Sequence, residues 1–213
     1  MRHFSLVAAA AVALFSVPAL AQDAQPAPDT ASTSGQGPRA PDGSRAFGLE
    51  PYVGVMGGWE QFDNEASRAG IPQVLNANGT VNRRYKLAGG LAQGVVGANV
   101  PLGPVFVGVE GNVAKGFSGD IDWEYGGAGR AGFRAGDSGL FYGKVGYQWV
   151  NFRDVGNNHD FRSMTYGIGL EVGPKDIGLG GLTHRGGVRL RGEVNTFGNA
   201  HSLRPMAGII AHF

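Results

Sequence analysis

The chain has 213 residues, no cysteine, and 18 Lys and Arg against 17 Asp and Glu, a formal net charge of +1 at neutral pH. That length allows one or two domains. The absence of cysteine excludes disulfide frameworks and thiolate metal sites, and the balance of charge leaves no net field to draw nucleic acid. Glycine is the outlier at 38 residues, roughly 18% against about 7% in an average protein, and no G-x-y period makes it collagen.

Met1 to Ala21 has the layout of a secretory signal. Arg2 and His3 give a basic start, Phe4 to Val17 is apolar, and Ala19-Leu20-Ala21 is an A-x-A cleavage site. The apolar stretch is too short for a comfortable membrane span. Gln22 to Ala46 is dominated by Pro, Ala, Ser, Gly and Asp with no apolar period. It cannot bury enough surface to offset its chain entropy, so it reads as a disordered periplasmic linker. The expected plan is a signal over 1–21, a linker over 22–46 and one folded unit over 47–213.

From Phe47 the pattern changes to alternation with a period of two, the signature of strands. Leu49 to Glu60 places Pro51, Val53, Val55, Gly57 and Trp59 on one face and Tyr52, Gly54, Met56, Gly58 and Glu60 on the other. Residues 62–82 are irregular and form the longest insertion after the linker. Arg83 to Val100 is a second strand with mixed faces, because Gln93 and Asn99 fall beside Leu87, Leu91 and Val95; a bulge would reset it. Pro101 to Pro104 is a tight turn. Val105 to Lys115 separates Val105, Val107, Val109 and Val113 from Glu110 and Asn112.

The fourth strand has Ile121, Trp123, Tyr125, Ala131 and Phe133 on one face and Asp122, Glu124, Arg130 and Arg134 on the other. Leu140 to Phe152 sets Phe141, Val145, Tyr147 and Trp149 against Lys144 and Gln148. Phe161 to Val172 sets Met164, Tyr166, Ile168 and Leu170 against Thr165 and Glu171. Gly187 to Phe197 sets Val188, Leu190 and Val194 against Arg189, Arg191, Glu193 and Asn195. Ser202 to Phe213 closes the chain with Leu203, Pro205, Ala207, Ile209, Ala211 and Phe213 on one apolar face, opposite Arg204, Met206, Ile210 and His212.

Eight strands of about ten residues suit tilted membrane crossings. The expected fold is all-β: an eight-stranded antiparallel transmembrane up-and-down β-barrel. An even strand count puts both termini on one side. The alternating terminal strand that ends on Phe213 resembles those of Gram-negative outer-membrane β-barrel proteins. Arg189 to Gly198, R-L-R-G-E-V-N-T-F-G, followed by a strand ending in A-H-F, is similar to the last hairpin of the small opacity-type or porin-like members. The resemblance covers 47–213. It implies an outer-membrane location, contact with outer-membrane lipid, and recognition of the C-terminal strand by the barrel-assembly machinery with Phe213 as the signal. It also implies a structural or surface-interaction role, adhesin- or opacity-like, with loop 62–82 offered to a host or envelope partner. The alternative is a narrow porin-like channel for small solutes or ions.

Candidate chemistry is sparse. Gly127 to Gly132 matches G-x-G-x-x-G, but strand alternation runs through it, where a dinucleotide site needs a helix to open. His159, His184, His201 and His212 are not at metal-ligand spacing. His201-Ser202 brings to mind the outer-membrane lipid A deacylases, whose pattern differs: the pair is separated by one residue and followed by a carboxylate. No catalytic residue, cofactor site or metal site is expected. The informative set is the charges on the polar faces: Glu110, Asp122, Glu124, Arg130, Lys144, Glu171, Arg189, Arg191, Glu193 and Arg204. Eight strands leave an interior just wide enough for side chains, so these charges are expected to pair in the lumen.

Overall fold

The structure is a computed structural model that describes residues 48–72, 74–82, 87–135, 139–155, 159–173 and 187–213. The expected signal over 1–21, the linker over 22–46, the start of the second strand at 83–86, and parts of three connections (136–138, 156–158 and 174–186) lie outside the described residues.

Eight antiparallel strands form a closed barrel in sequence order. They are β1 (Glu50–Phe62), β2 (Ala88–Leu102), β3 (Val105–Gly116), β4 (Ile121–Ala135), β5 (Gly139–Phe152), β6 (Asp160–Val172), β7 (Gly187–Phe197) and β8 (Ser202–His212). The seam is the β1–β8 ladder, from Tyr52 opposite His212 to Phe62 opposite Ser202. Beyond the last paired residue, the Phe213 amide donates to the Pro51 carbonyl at 3.0 Å, so the terminal residue adds a rung to the seam. One end of the barrel carries Glu50, His212 and the turn at Gly103-Pro104. The other carries the segments after β1, β3, β5 and β7.

The β2–β3 turn is tighter than the sequence suggests. Leu102 already pairs with Val105, and Gly103 takes φ +74, the positive φ that such two-residue hairpin turns require. The expected bulge in β2 is absent, since its ladders with β1 and β3 run without a shift. Gln93 and Asn99 share the inward face with Leu91 and Val95. The faces look mixed because the inside of this barrel is itself part apolar and part polar. The lipid face of β2 is Val96, Val100 and Leu102.

The bulge lies in β4 instead. Ile121 pairs with Phe152 and Trp123 with Asn151, leaving Asp122 as the extra residue. The shift turns Ile121 inward and fully buries it. It also takes Asp122 out of the expected lumen set. Asp122 stands at the barrel end, partly exposed, where Lys115 donates to it at 2.5 Å and the Arg153 guanidinium lies 3.5 Å away. Gly127 to Gly132 continues the β4 ladder in register with both neighbours, with no helix following.

The outer surface is apolar. Val55, Val109, Ile168, Leu190 and Ile209 are exposed in its middle, with Trp59, Trp123, Tyr125 and Tyr147 toward one end and Phe133, Phe141 and Phe213 toward the other. Charged residues meanwhile fill the inside. Water does not solvate such a wall; hydrocarbon flanked by two interfacial aromatic girdles does. Closure pairs each strand with two neighbours, the condition for sheet to cross a bilayer. The molecule is therefore a transmembrane barrel.

Candidate functional site

The lumen is the candidate site, and its chemistry begins with two inward glycines. A Cβ at Gly97 would overlap the Tyr52 ring, and one at Gly169 would overlap the Tyr142 ring. Their absence lets both tyrosines lie across the interior. Arg130 then stacks over Tyr142 with its guanidinium carbon 3.8 Å from the ring centre, and Arg191 sits 5.0 Å from the Tyr52 ring centre. Stacking holds each planar guanidinium while its edges reach carboxylates.

Glu110 and Glu171 are the anionic hubs. Glu110 Oε2 accepts from Arg191 at 2.5 Å, from the Tyr52 hydroxyl at 2.9 Å and from Arg130 at 3.3 Å. Its other oxygen accepts from Lys144 at 3.1 Å. Glu171 Oε1 accepts from Arg130 at 2.8 Å and twice from Arg191, at 3.0 and 2.7 Å. Its second oxygen meets His212 Nε2 at 2.7 Å, with Arg189 4.0 Å away. Glu193 accepts from Lys144 at 2.6 Å, from the Tyr142 hydroxyl at 2.7 Å and from Asn195 at 2.5 Å. Glu110, Glu171 and Glu193 thus face Arg130, Arg191 and Lys144, three charges against three, all essentially buried. Buried charge is costly unless it is paired and hydrogen-bonded, and here each member has several partners.

Toward the end away from the termini, Arg204 contacts Glu124 and lies 3.8 Å from Glu60. Gln148 bridges Asn112 and Glu124. At the termini end, Arg134 donates to Glu50 at 2.5 Å. Of the ten charges singled out from sequence, nine lie inside the barrel and Asp122 does not. Tyr52, Tyr142, Glu60, Glu50, Arg134 and His212 also make polar contacts inside the barrel, though sequence reasoning did not select them. Tyr52 and Glu60 stood on the inward face of the alternation, which is the signal that could have found them.

Among the described residues, apolar side chains pack on both sides of the network. Phe106, Leu140 and Tyr142 pack together toward the termini end. Toward the opposite end, Phe62 meets Phe152 and Phe197 edge-on at 5.4 and 5.7 Å, and Phe152 meets Phe161 at 6.0 Å. Leu91, Ile121 and Val150 join them, and the cluster continues along the β8–β1–β2 wall through Met206, Met56 and Ile210. A 3-10 turn over Ala66–Ala69 sits on top, with Ala66, Ala69 and Ile71 buried in the same cluster. The Asp63 amide donates to the His201 carbonyl, and the His201 ring lies 3.0 Å from the Asp63 carboxylate, tying this lid to the β7–β8 turn. Segment 62–82 is thus not all external loop. Its first part is a lid, and 74–82 forms an exposed tip around the Leu75–Val81 bridge. The Ser202 hydroxyl accepts the Phe197 amide.

No known family model matches this sequence, and no curated protein matches it. Among solved structures, the chain is similar to Neisserial surface protein A, at 13% identity over 78% of this chain and 99% of that one, with a TM-score of 0.45. The outer membrane protein Ail of Yersinia pestis gives 14% identity over 76% and 99%, with a TM-score of 0.40. OprG, an outer membrane protein of Pseudomonas aeruginosa, gives 11% identity over 83% and 96%, with a TM-score of 0.37. These are eight-stranded outer-membrane β-barrels. At such identities the likeness concerns the architecture alone.

Proposed function

We propose that this chain is a closed, non-enzymatic barrel of the Gram-negative outer membrane, with a structural or surface-interaction role rather than a transport role. One observation carries the proposal: the ion-pair network of Glu110, Glu171, Arg130 and Arg191 fills the interior with buried side chains, and the phenylalanine cluster packs between it and the lid. A hydrated ion path needs continuous polar lining, and the phenylalanines interrupt it. The end bearing both termini then faces the periplasm. The tip over 74–82, with Leu75 and Val81 exposed, is the part of the first loop that a host or envelope partner would meet. The signal over 1–21, the linker over 22–46 and assembly through Phe213 complete this picture.

Single-channel recording of the refolded protein in planar bilayers tests it. Conductance is expected to be absent or limited to rare, small openings. A large, steady conductance would replace this reading with the porin-like one. An epitope inserted at Asn76 is expected to label intact cells, since exposed loop tips tolerate insertion. Labelling that requires permeabilisation would reverse the orientation.

A further inference from the structure

Residues 75–81, the tip of the first loop, are exposed throughout. Inside the Leu75–Val81 bridge, the Asn76 amide donates to the Thr80 carbonyl at 2.8 Å and the Gly79 amide donates to the Asn76 carbonyl at 2.9 Å. Gly79 takes φ +79. This is the three-residue hairpin loop that ends on a left-handed glycine, and it fixes Asn78, the residue before that glycine. The Asn78 side-chain oxygen accepts twice from one residue, from the Thr80 amide at 3.1 Å and from the Thr80 hydroxyl at 2.6 Å. Asn76 Nδ2 donates to the same hydroxyl at 3.0 Å, which leaves the hydroxyl proton for Asn78. Both bonds to Asn78 use its oxygen, and neither engages Nδ2. No other asparagine in the chain precedes a glycine.

We propose that Asn78 is a site of spontaneous covalent modification: it deamidates through a cyclic imide, with water as the only co-reactant. The Gly79 nitrogen gives up its proton to hydroxide and attacks Asn78 Cγ. The new N–C bond forms, the Cγ–Nδ2 bond breaks, and Nδ2 leaves as ammonia with a proton taken from water. Water then opens the imide, at Cγ to give aspartate or at the backbone carbonyl to give isoaspartate. Three features of the tip select this asparagine. Gly79 has no side chain to crowd the attack, and the space beside it is open. Negative charge builds on Oδ1 as Cγ becomes tetrahedral, and Thr80 already aims two donors at that oxygen. The Gly79 amide must first leave the Asn76 carbonyl, and in an exposed tip such local opening costs little. Asn76 is the internal contrast: equally exposed, it precedes Ala77, whose methyl crowds the attacking nitrogen. The product sets a carboxylate on the tip, and isoaspartate reroutes the backbone inside the turn that the Gly79–Asn76 bond closes.

The refolded full chain in liposomes is held for days in mildly alkaline buffer, digested, and mapped by mass spectrometry, with isoaspartate marked by an isoaspartyl methyltransferase. The readout does not depend on which side of the membrane the tip faces. Conversion at Asn78 with Asn76 unchanged is the expected result. In the folded barrel, Thr80→Val is expected to slow the conversion by roughly two- to tenfold, the range that one hydrogen bond is worth. Thr80→Ser keeps the hydroxyl and is expected to convert at the wild-type rate. In denaturant, where the tip is lost, wild type and Thr80→Val are expected to convert alike. Unheated gel mobility confirms that each variant is closed. An Asn78 that stays intact in the folded barrel, or converts no faster than Asn76, overturns the assignment. So does Thr80→Val converting at the wild-type rate or faster in the folded barrel, because the tip's donors would then have no part in the step.

Discussion

The half of the lumen near the termini and the half near the lid are held together differently. Near the termini, Glu110, Glu171, Arg130 and Arg191 cross the interior from β3, β6, β4 and β7 and bind one another. Near the lid, Phe62, Phe152, Phe161 and Phe197 meet ring to ring, beside one smaller charged set of Arg204 with Glu60 and Glu124. In a water-soluble barrel one apolar core would fill both. Here lipid takes the apolar outer face, so the inside is free to be ionic. Each half also conditions the other. The phenylalanines exclude water from one end of the network, which strengthens its ion pairs and raises the cost of any charge left alone.

Arg191→Leu is the largest expected disturbance of the charged half. It leaves Glu110 and Glu171 with one cation fewer between them, each losing a partner within 2.7 Å. Breaking a buried pair in this way costs about 3–5 kcal/mol where the site is dry. The thermal midpoint of the refolded barrel is expected to fall, and the deficit to shrink at low pH, where protonation of the surviving carboxyls removes the unpaired charge. A midpoint no lower than that of Leu203→Ala, a lipid-face truncation, would count against a dry network.

Phe62→Ala addresses the apolar half. The ring touches Phe152 and Phe197, and truncation is expected to cost about 3 kcal/mol through lost burial and the cavity left behind. That loss should be insensitive to pH, because no charge is exposed. Pore openings should stay rare, since the network still closes the other half. Frequent openings in Phe62→Ala alone would make the cap, rather than the ion pairs, the barrier to conduction.

The smallest effect sharpens the boundary between the halves. Asp122 pairs with Lys115 at the barrel end, where both side chains are partly exposed. Asp122→Ala is expected to change stability by less than about 1 kcal/mol. Ile121→Ala, one residue away, is expected to cost about 2–4 kcal/mol because the bulge buries Ile121 in the cap. Thermal melts of the two variants read the bulge directly: equal losses would mean that β4 runs without it.

Period-two alternation, eight times over, determined the strands and which faces meet lipid. Each strand is an independent local signal, so a one-residue slip would have flipped a whole face and been visible. Nine of the ten charges chosen on that basis lie inside. The slip at Asp122 was not legible, because a bulge is set by pairing with β5 and alternation carries no mark of it. The mixed face of β2 misled for a related reason: Leu91 and Gln93 are both inward, and only the closed barrel buries a polar and an apolar side chain on one face. Which charge meets which was likewise decided by closure, since Glu110 and Arg191 are 81 residues apart and come together only when strands on opposite walls face each other. The lid also belongs to tertiary structure. It depends on Ala66, Ala69 and Ile71 docking onto the cluster that seven strands assemble, which no single stretch of the chain encodes.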